Sequence, residues 1–220
     1  TTHINKAGTA THYTYDVLGR MTKKSIEGEH RFEETFEYNG FACTKHTDAE
    51  GHITQNQYDG AGRLIKTERD GHITTYAYDA LGRQTTKTVQ NNDNTLIYQT
   101  AYDLLDRPIE HRTLDQKGKT HFYTTYRYDS YGNKSEIHRF IDGQEAIEHF
   151  TFDGFGRLRL HKDPLGHETC HQYNESLLQK TTTTPNNIQI IQTSDPLQRP
   201  ILKQKLQNDQ EIFREERAYS

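Results

Sequence analysis

Tyr76-Ala77-Tyr78-Asp79-Ala80-Leu81-Gly82-Arg83 is the stretch on which the reading of the whole chain turns. Side chains alternate across a strand, so the tyrosines at 76 and 78 share a face. Asp79 and Gly82 stand at the first and fourth positions of a type I turn, which favours those residue types there. The Asp side chain bonds the backbone ahead of it, and Gly accepts a left-handed conformation. A turn followed by a left-handed residue is a common way to close a β-hairpin. Arg83 then opens the return strand, where its guanidinium can stack on a tyrosine or pair with an acid.

The same pattern recurs along the chain. Its first two positions are Tyr15-Asp16, Tyr38-Asn39, Tyr58-Asp59, Tyr78-Asp79, Tyr102-Asp103, Tyr128-Asp129, Phe152-Asp153, Tyr173-Asn174 and Ser194-Asp195, about 22 residues apart. Glycine follows three residues after the acid at Gly19, Gly62, Gly82, Gly132 and Gly156. Arginine comes next at Arg20, Arg63, Arg83, Arg107, Arg157 and Arg199. Another aromatic precedes the tyrosine by two at Tyr13, Phe36, Tyr76, Tyr126 and Phe150. Departures fall at Ala42-Cys43 and Leu177-Leu178, where Gly-Arg is expected, at Asp106-Arg107-Pro108, and at Ser194 in place of tyrosine. The charged stretch Leu206 to Ser220 has no assigned place.

A second turn signal separates the units: Asp48-Ala49-Glu50-Gly51, Asp115-Gln116-Lys117-Gly118 and Asp163-Pro164-Leu165-Gly166, with Asp70-Gly71 and Asn91-Asn92-Asp93-Asn94 in the same role. Two turns per unit leave two strands of ordinary length. The expectation is an all-β chain of about nine β-hairpin repeats and roughly 18 strands, forming a large curved antiparallel sheet. It is read as a single array over 1–220, with repeats near 11–30, 34–54, 55–74, 75–98, 99–122, 125–147, 149–168, 169–190 and 191–212. A parallel β-helix has coils of similar length, but does not need a hairpin-type turn twice per coil.

Composition agrees with a sheet that has much wet surface. Hydrophobic residues make up 31% and mean hydropathy is -1.04. Ile, Leu, Val and Phe number 41 of 220, a share found in disordered chains. Disorder also calls for high net charge, and here it is only -4. Threonine (29) and tyrosine (14) dominate the strand formers, while valine appears twice. Both combine a bulky body with a polar tip and suit a half-buried pleated surface.

The motif-bearing segments Tyr13 to Arg20, Tyr58 to Leu64, Tyr76 to Arg83 and Phe150 to Leu158, with the inter-unit stretch Asp163 to Tyr173, resemble the Rhs/YD-repeat family. That family includes bacterial polymorphic toxins, shell-forming components of insecticidal toxin complexes, and animal teneurins. The resemblance runs over about residues 11 to 203. It implies a segment of a hollow β-shell that sequesters a polypeptide, such as a C-terminal toxin domain, and secreted or cell-surface delivery. It implies as partners the remainder of a longer repeat chain and an encapsulated cargo. No cleavage junction, cargo domain or export module is recognised in the chain.

Residues that could do chemistry have plainer readings. His161, His167, Cys170 and His171 are dense enough to suggest metal. However, the first two flank a turn and the last two face apart on a strand, so no metal or cofactor is assigned. His52, His72 and His167 each follow a turn glycine and are read as a tolerant strand-start position. Cys43 and Cys170 are read as unpaired thiols. Glu33-Glu34 and Glu215-Glu216 are adjacent and face apart, unlike a catalytic carboxylate pair. An active site would occur once, whereas the motif aspartate recurs throughout. No nucleotide or nucleophile signature appears, so the chain is read as a non-enzyme. Mixed charge argues against nucleic-acid binding. No apolar run reaches the ~18 residues of a membrane span, and Thr1 to Thr11 lack a signal-peptide pattern. The alternative function is a recognition surface, with exposed tyrosines binding glycans or a partner protein.

Overall fold

The computed structural model describes residues 2–4, 9–27, 32–141 and 143–219. Parts of the first expected repeat (28–30) and of the Thr1 to Thr11 stretch lie outside the described residues. Contacts divide the chain into two units, Thr1–Ala101 with His111–His121, and Tyr102–Glu110 with Phe122–Ser220.

All regular structure among the described residues is β-strand. The first unit holds β1 (Thr2–Ile4), β2 (Ala10–Tyr15), β3 (Met21–Ile26), β4 (Phe32–Asn39), β5 (Ala42–Thr47), β6 (Ile53–Tyr58), β7 (Leu64–Arg69), β8 (His72–Tyr78) and β9 (Gln84–Gln90). Three strands carry the division between units: β10 (Thr95–Tyr102), β11 (Pro108–Asp115) and β12 (Thr120–Tyr128). The second unit continues with β13 (Lys134–Ile141), β14 (Gln144–Phe152), β15 (Leu158–Lys162) and β16 (Glu168–Asn174). It ends with β17 (Gln179–Thr183), β18 (Ile188–Ser194), β19 (Pro200–Gln207) and β20 (Gln210–Glu216).

Neighbours in sequence are neighbours in the sheet. Each strand from β1 to β10 pairs antiparallel with the next. The strands from β12 to β20 do the same. This is the up-and-down order that two turns per repeat require. Among the described residues there are twenty strands rather than roughly 18, because β1 precedes the first motif and β20 follows the ninth.

The register slips by one residue immediately before the motif position at Tyr15, Tyr38, Tyr58 and Tyr78. It slips likewise at Tyr128, Phe152 and Ser194. Tyr15 faces Met21 while Thr14 faces Lys23, so Thr22 is the extra residue on the return strand. Its hydroxyl donates to the Thr14 carbonyl at 3.3 Å, and Thr85 does the same to Ala77. A bulge of this kind strengthens the local strand twist.

No hydrophobic side chain among the described residues is buried, and Ser25 alone is a buried polar residue. Each unit is a single layer with both faces partly wet. Cross-strand pairs therefore replace a core: Thr67 faces Thr74, Thr75 faces Thr88, and Phe36 stacks on His46 at 4.5 Å between ring centroids. Such pairs contribute roughly 0.2–1 kcal/mol each. Stability in this arrangement is built from many repeated nearest-neighbour terms.

Candidate functional site: turns and rungs of the repeat

The site is the repeat unit, and it begins with the turn. At Asp79 the Gly82 N–H donates to the Asp79 carbonyl, and the Asp79 N–H donates to the Arg83 carbonyl, both at 3.0 Å. The Asp79 Oδ1 accepts from the Leu81 and Arg83 N–H groups, at 3.0 and 2.9 Å. Its Oδ2 accepts from the Arg83 Nε at 2.7 Å. One carboxylate thus ties down two backbone donors and one guanidinium. The same five bonds recur at Asp16, Asp59, Asp103, Asp153 and Asp195. At Asp129, Asn133 stands in the arginine position and its amide takes over the side-chain bond at 3.0 Å.

The fourth turn residue is left-handed, as the glycine signal predicts: Gly82 has φ of +85°. Where glycine is missing, the backbone keeps that conformation. Asp106 has φ 62° and Gln198 has φ 64°, which a residue with a Cβ adopts at a cost.

These bonds hold the carboxyls below their usual range. The Arg20 side chain is the main cause at Asp16, the Arg63 N–H at Asp59, and the Asn133 amide at Asp129. At Asp79, Asp103, Asp153 and Asp195 desolvation is the largest single influence and pushes the other way. The hydrogen bonds together still outweigh it.

The arginine then reaches forward one repeat. Arg20 lies over the ring of Tyr38 at 4.7 Å, Arg63 over Tyr78 at 4.8 Å, Arg107 over Tyr128 at 4.4 Å and Arg157 over Tyr173 at 4.2 Å. The tyrosine hydroxyl donates back to the strand of the previous repeat: Tyr38 to the Met21 carbonyl at 2.8 Å, Tyr78 to Leu64 at 2.7 Å, and Tyr128 to Pro108 at 2.6 Å. Tyr58 and Tyr173 make the same bond to Cys43 and Leu158. Burial pushes the Tyr38 and Tyr128 phenols up. Each complete rung is therefore an Asp–Arg pair in one hairpin clamped onto the tyrosine of the next.

The structure corrects three sequence assignments. Cys43 faces Tyr38 as Met21 faces Tyr15 and Leu64 faces Tyr58. The second repeat has therefore lost one turn residue, and Ala42, not Cys43, stands in the arginine position. Gly40 (φ 59°) and Phe41 make that tighter turn. In the eighth repeat Tyr173 faces Lys180, so the turn has gained a residue. Leu178 (φ 48°) takes the glycine position there, and Gln179 the arginine position. The unplaced C-terminal stretch forms β20, and Tyr219 beyond it continues the ladder. Arg199 lies over its ring at 4.7 Å, and its hydroxyl donates to the Pro200 carbonyl at 2.9 Å. The sequence signal for this tenth rung was Tyr219-Ser220, a tyrosine 20 residues after Arg199 with serine in place of aspartate.

The histidines and acids singled out from sequence are spread over separate local contacts. His161 bonds Glu148 at 3.0 Å and stacks on Phe150, His167 bonds Asp163 at 2.9 Å, and His171 bonds the Thr182 hydroxyl at 3.0 Å. His52 reaches Asp70 at 2.9 Å and His72 reaches Asn91 at 3.0 Å. Glu33 and Glu34 pair separately with Lys23 and Lys24, and Glu215 and Glu216 with Arg217 and Arg214. Cys43 and Cys170 are free thiols, both half-buried.

Comparison with known proteins agrees with this geometry. Residues 58–95 match the RHS Repeat family, a span that runs from Tyr58 through the Asp59 and Asp79 turns. No curated protein matches the chain. Among solved structures, TcdB2-TccC3-TEV aligns over 93% of this chain and 14% of its own, at 13% identity and TM-score 0.54. TcdB2-TccC3-Cdc42 aligns over the same shares at 12% identity and TM-score 0.54. This chain thus spans about 14% of the length of those it matches. At these identities the likeness concerns the fold. Residues 58–95 are thus similar to RHS repeats, the same turn and rung recur on both sides of them, and the chain shares its fold with these structures.

Proposed function

We propose that this chain is a wall segment of a β-shell that encloses or supports a polypeptide cargo, its repeats acting as one array without catalysis. The carrying observation is that the motif's chemically capable groups are engaged within the sheet. Each complete rung commits a carboxylate to its turn, a guanidinium to that carboxylate and the next ring, and a phenol to a backbone carbonyl. A group that recurs with the same partners in one complete rung after another serves the wall. The cargo role comes from the resemblance to Rhs/YD-repeat proteins, and is supported by the fold shared with TcdB2-TccC3 structures that extend well beyond this segment.

Electron microscopy of the full-length parent protein, with mass spectrometry of polypeptide that co-purifies with it, tests this reading. A closed wall around polypeptide density is the expected result. An open sheet with nothing inside overturns it and leaves the recognition surface as the remaining function. That alternative has fewer rings to work with than the sequence suggested, since five motif tyrosines lie beneath arginines.

A further inference from the structure

The second rung is incomplete in a way that leaves room beside its ring. Ala42 stands where Arg20, Arg63, Arg107 and Arg157 stand in theirs, and Asn39 stands where their aspartates do. The next ring of the ladder, Tyr58, nevertheless keeps its place, with its hydroxyl on the Cys43 carbonyl at 3.0 Å. Among the described residues no cation lies over that ring. Tyr38, Tyr78, Tyr128, Tyr173 and Tyr219 each carry a guanidinium at 4.2–4.8 Å.

The turn glycines locate the space. A Cβ on Gly82 would lie 3.5 Å from the Arg63 guanidinium, and one on Gly132 would lie 3.6 Å from that of Arg107. The arginine of one repeat therefore reaches the turn glycine of the next. By the same geometry an arginine in place of Ala42 would reach Gly62, where a Cβ would meet no described atom within 4 Å. The shorter Asn133 still fills its own slot, since a Cβ on Gly156 would lie 3.7 Å from its amide oxygen. At the second rung the slot is instead a cleft of about 830 Å³, whose lining includes Phe41, Ala42, Tyr58, Asp59, Gly62 and Ile65.

We propose that this cleft receives an arginine side chain from another polypeptide, which completes the rung from outside. The array itself argues for that occupant, because it seats a guanidinium on the equivalent ring in rung after rung. A guanidinium is planar, stacks on aromatic faces and is more weakly hydrated than an ammonium, so it suits the slot better than lysine does. Asp59 lines the cleft and adds negative charge, although its own pair with Arg63 at 2.7 Å offsets part of it. The Asn39 amide oxygen, also in the lining, is an acceptor where other rungs offer a carboxylate. That acceptor is uncharged, so a single side chain should bind only in the millimolar range. This goes beyond the wall reading and holds whether or not a cargo is enclosed.

NMR of the whole chain with isotope-labelled tyrosines is the test, the Tyr58 ring signals being assigned through Tyr58→Phe. The probes are N-acetylarginine methylamide and its lysine counterpart, each an amino acid capped as it is within a chain. A saturable shift of the Tyr58 ring signals with the arginine probe, and weaker binding of the lysine probe, is the expected result. Ala42→Arg fills the slot from within and should weaken binding at least about tenfold. Circular dichroism checks that the variant keeps its β-structure. Should it fail to fold, Ala42→Gln is measured in its place, a residue the array carries at the same position in Gln179. No saturable shift in the natural sequence overturns the proposal. So does a shift indifferent to the change at Ala42, which would place the probe elsewhere. Equal binding of the two probes overturns the assignment to arginine.

Discussion

The hairpin that turns at Asp59 and the one that turns at Asn39 end adjacent strand pairs, yet they are closed differently. At Asp59 a full turn lets the carboxylate bind two N–H groups and Arg63, and Arg63 covers Tyr78. At Asn39 one residue is missing, Gly40 and Phe41 make the turn, and Ala42 occupies the rung. The tyrosine downstream of each turn donates its hydroxyl to the strand before it: Tyr58 to Cys43 at 3.0 Å, as Tyr78 to Leu64 at 2.7 Å. The acceptor is a backbone carbonyl, which survives any substitution. The guanidinium is a side chain and can be dispensed with one repeat at a time. Register is the invariant, and lost or gained residues are absorbed in the turns, because a one-residue slip along a strand would reverse every face.

This comparison can be broken most forcefully at the turn carboxylate. Asp79→Ala frees the Leu81 and Arg83 N–H groups and the Arg83 guanidinium together. It should lower Tm by roughly 5 °C or more, whereas Asn39→Ala, in the short turn, should have a smaller effect. Thermal melts by circular dichroism decide this.

Acid should act on all the aspartate turns at once. Asp16, Asp59 and Asp129 have folded-state values below their ordinary ones, as do Asp48 and Asp115 between repeats. A depressed value means the folded state binds fewer protons, so this stability is fully present above the unfolded-state value of about 4. It is lost as pH falls below that value and through the folded-state ones. Stability from the aspartates should be flat from neutral pH down to about 5, then fall steeply. Urea unfolding at stepped pH measures the slope; a flat profile in acid would show that these bonds contribute nothing net.

Arg63→Ala turns a complete rung into one like that at Ala42. Loss of the ring contact and of a half-exposed ion pair should cost about 1 kcal/mol, read from urea midpoints. Gln198→Gly works in the opposite direction. It relieves a left-handed residue with a side chain and should stabilise the β18–β19 hairpin by about 1 kcal/mol. The smallest effect sharpens the comparison by repair. Asn133→Arg with Phe152→Tyr restores a full rung, and the two changes together should exceed the sum of the singles by about 0.5 kcal/mol.

The sequence by itself determined the turn and its frequency. Asp79 and Gly82 act within five residues through bonds to the nearest backbone, so spacing alone was enough to place the hairpins, the antiparallel order and the thin apolar content of a single-layer sheet. Local chemistry also pointed Arg83 toward an acid, and that acid proved to be Asp79 in the same turn. The aromatic partner was left open, because Arg20 and Tyr38 are 18 residues apart and meet only when three strands are in register. Tertiary structure likewise decided that Cys43 is the counterpart of Leu64, that Gln179 takes the arginine position, and that Tyr219 extends the ladder. In each case the deciding interaction crosses strands, and cross-strand position depends on where earlier turns gained or lost a residue. Motif spacing along the chain cannot separate a residue lost in a turn from one lost in a strand. Pairing across the sheet does.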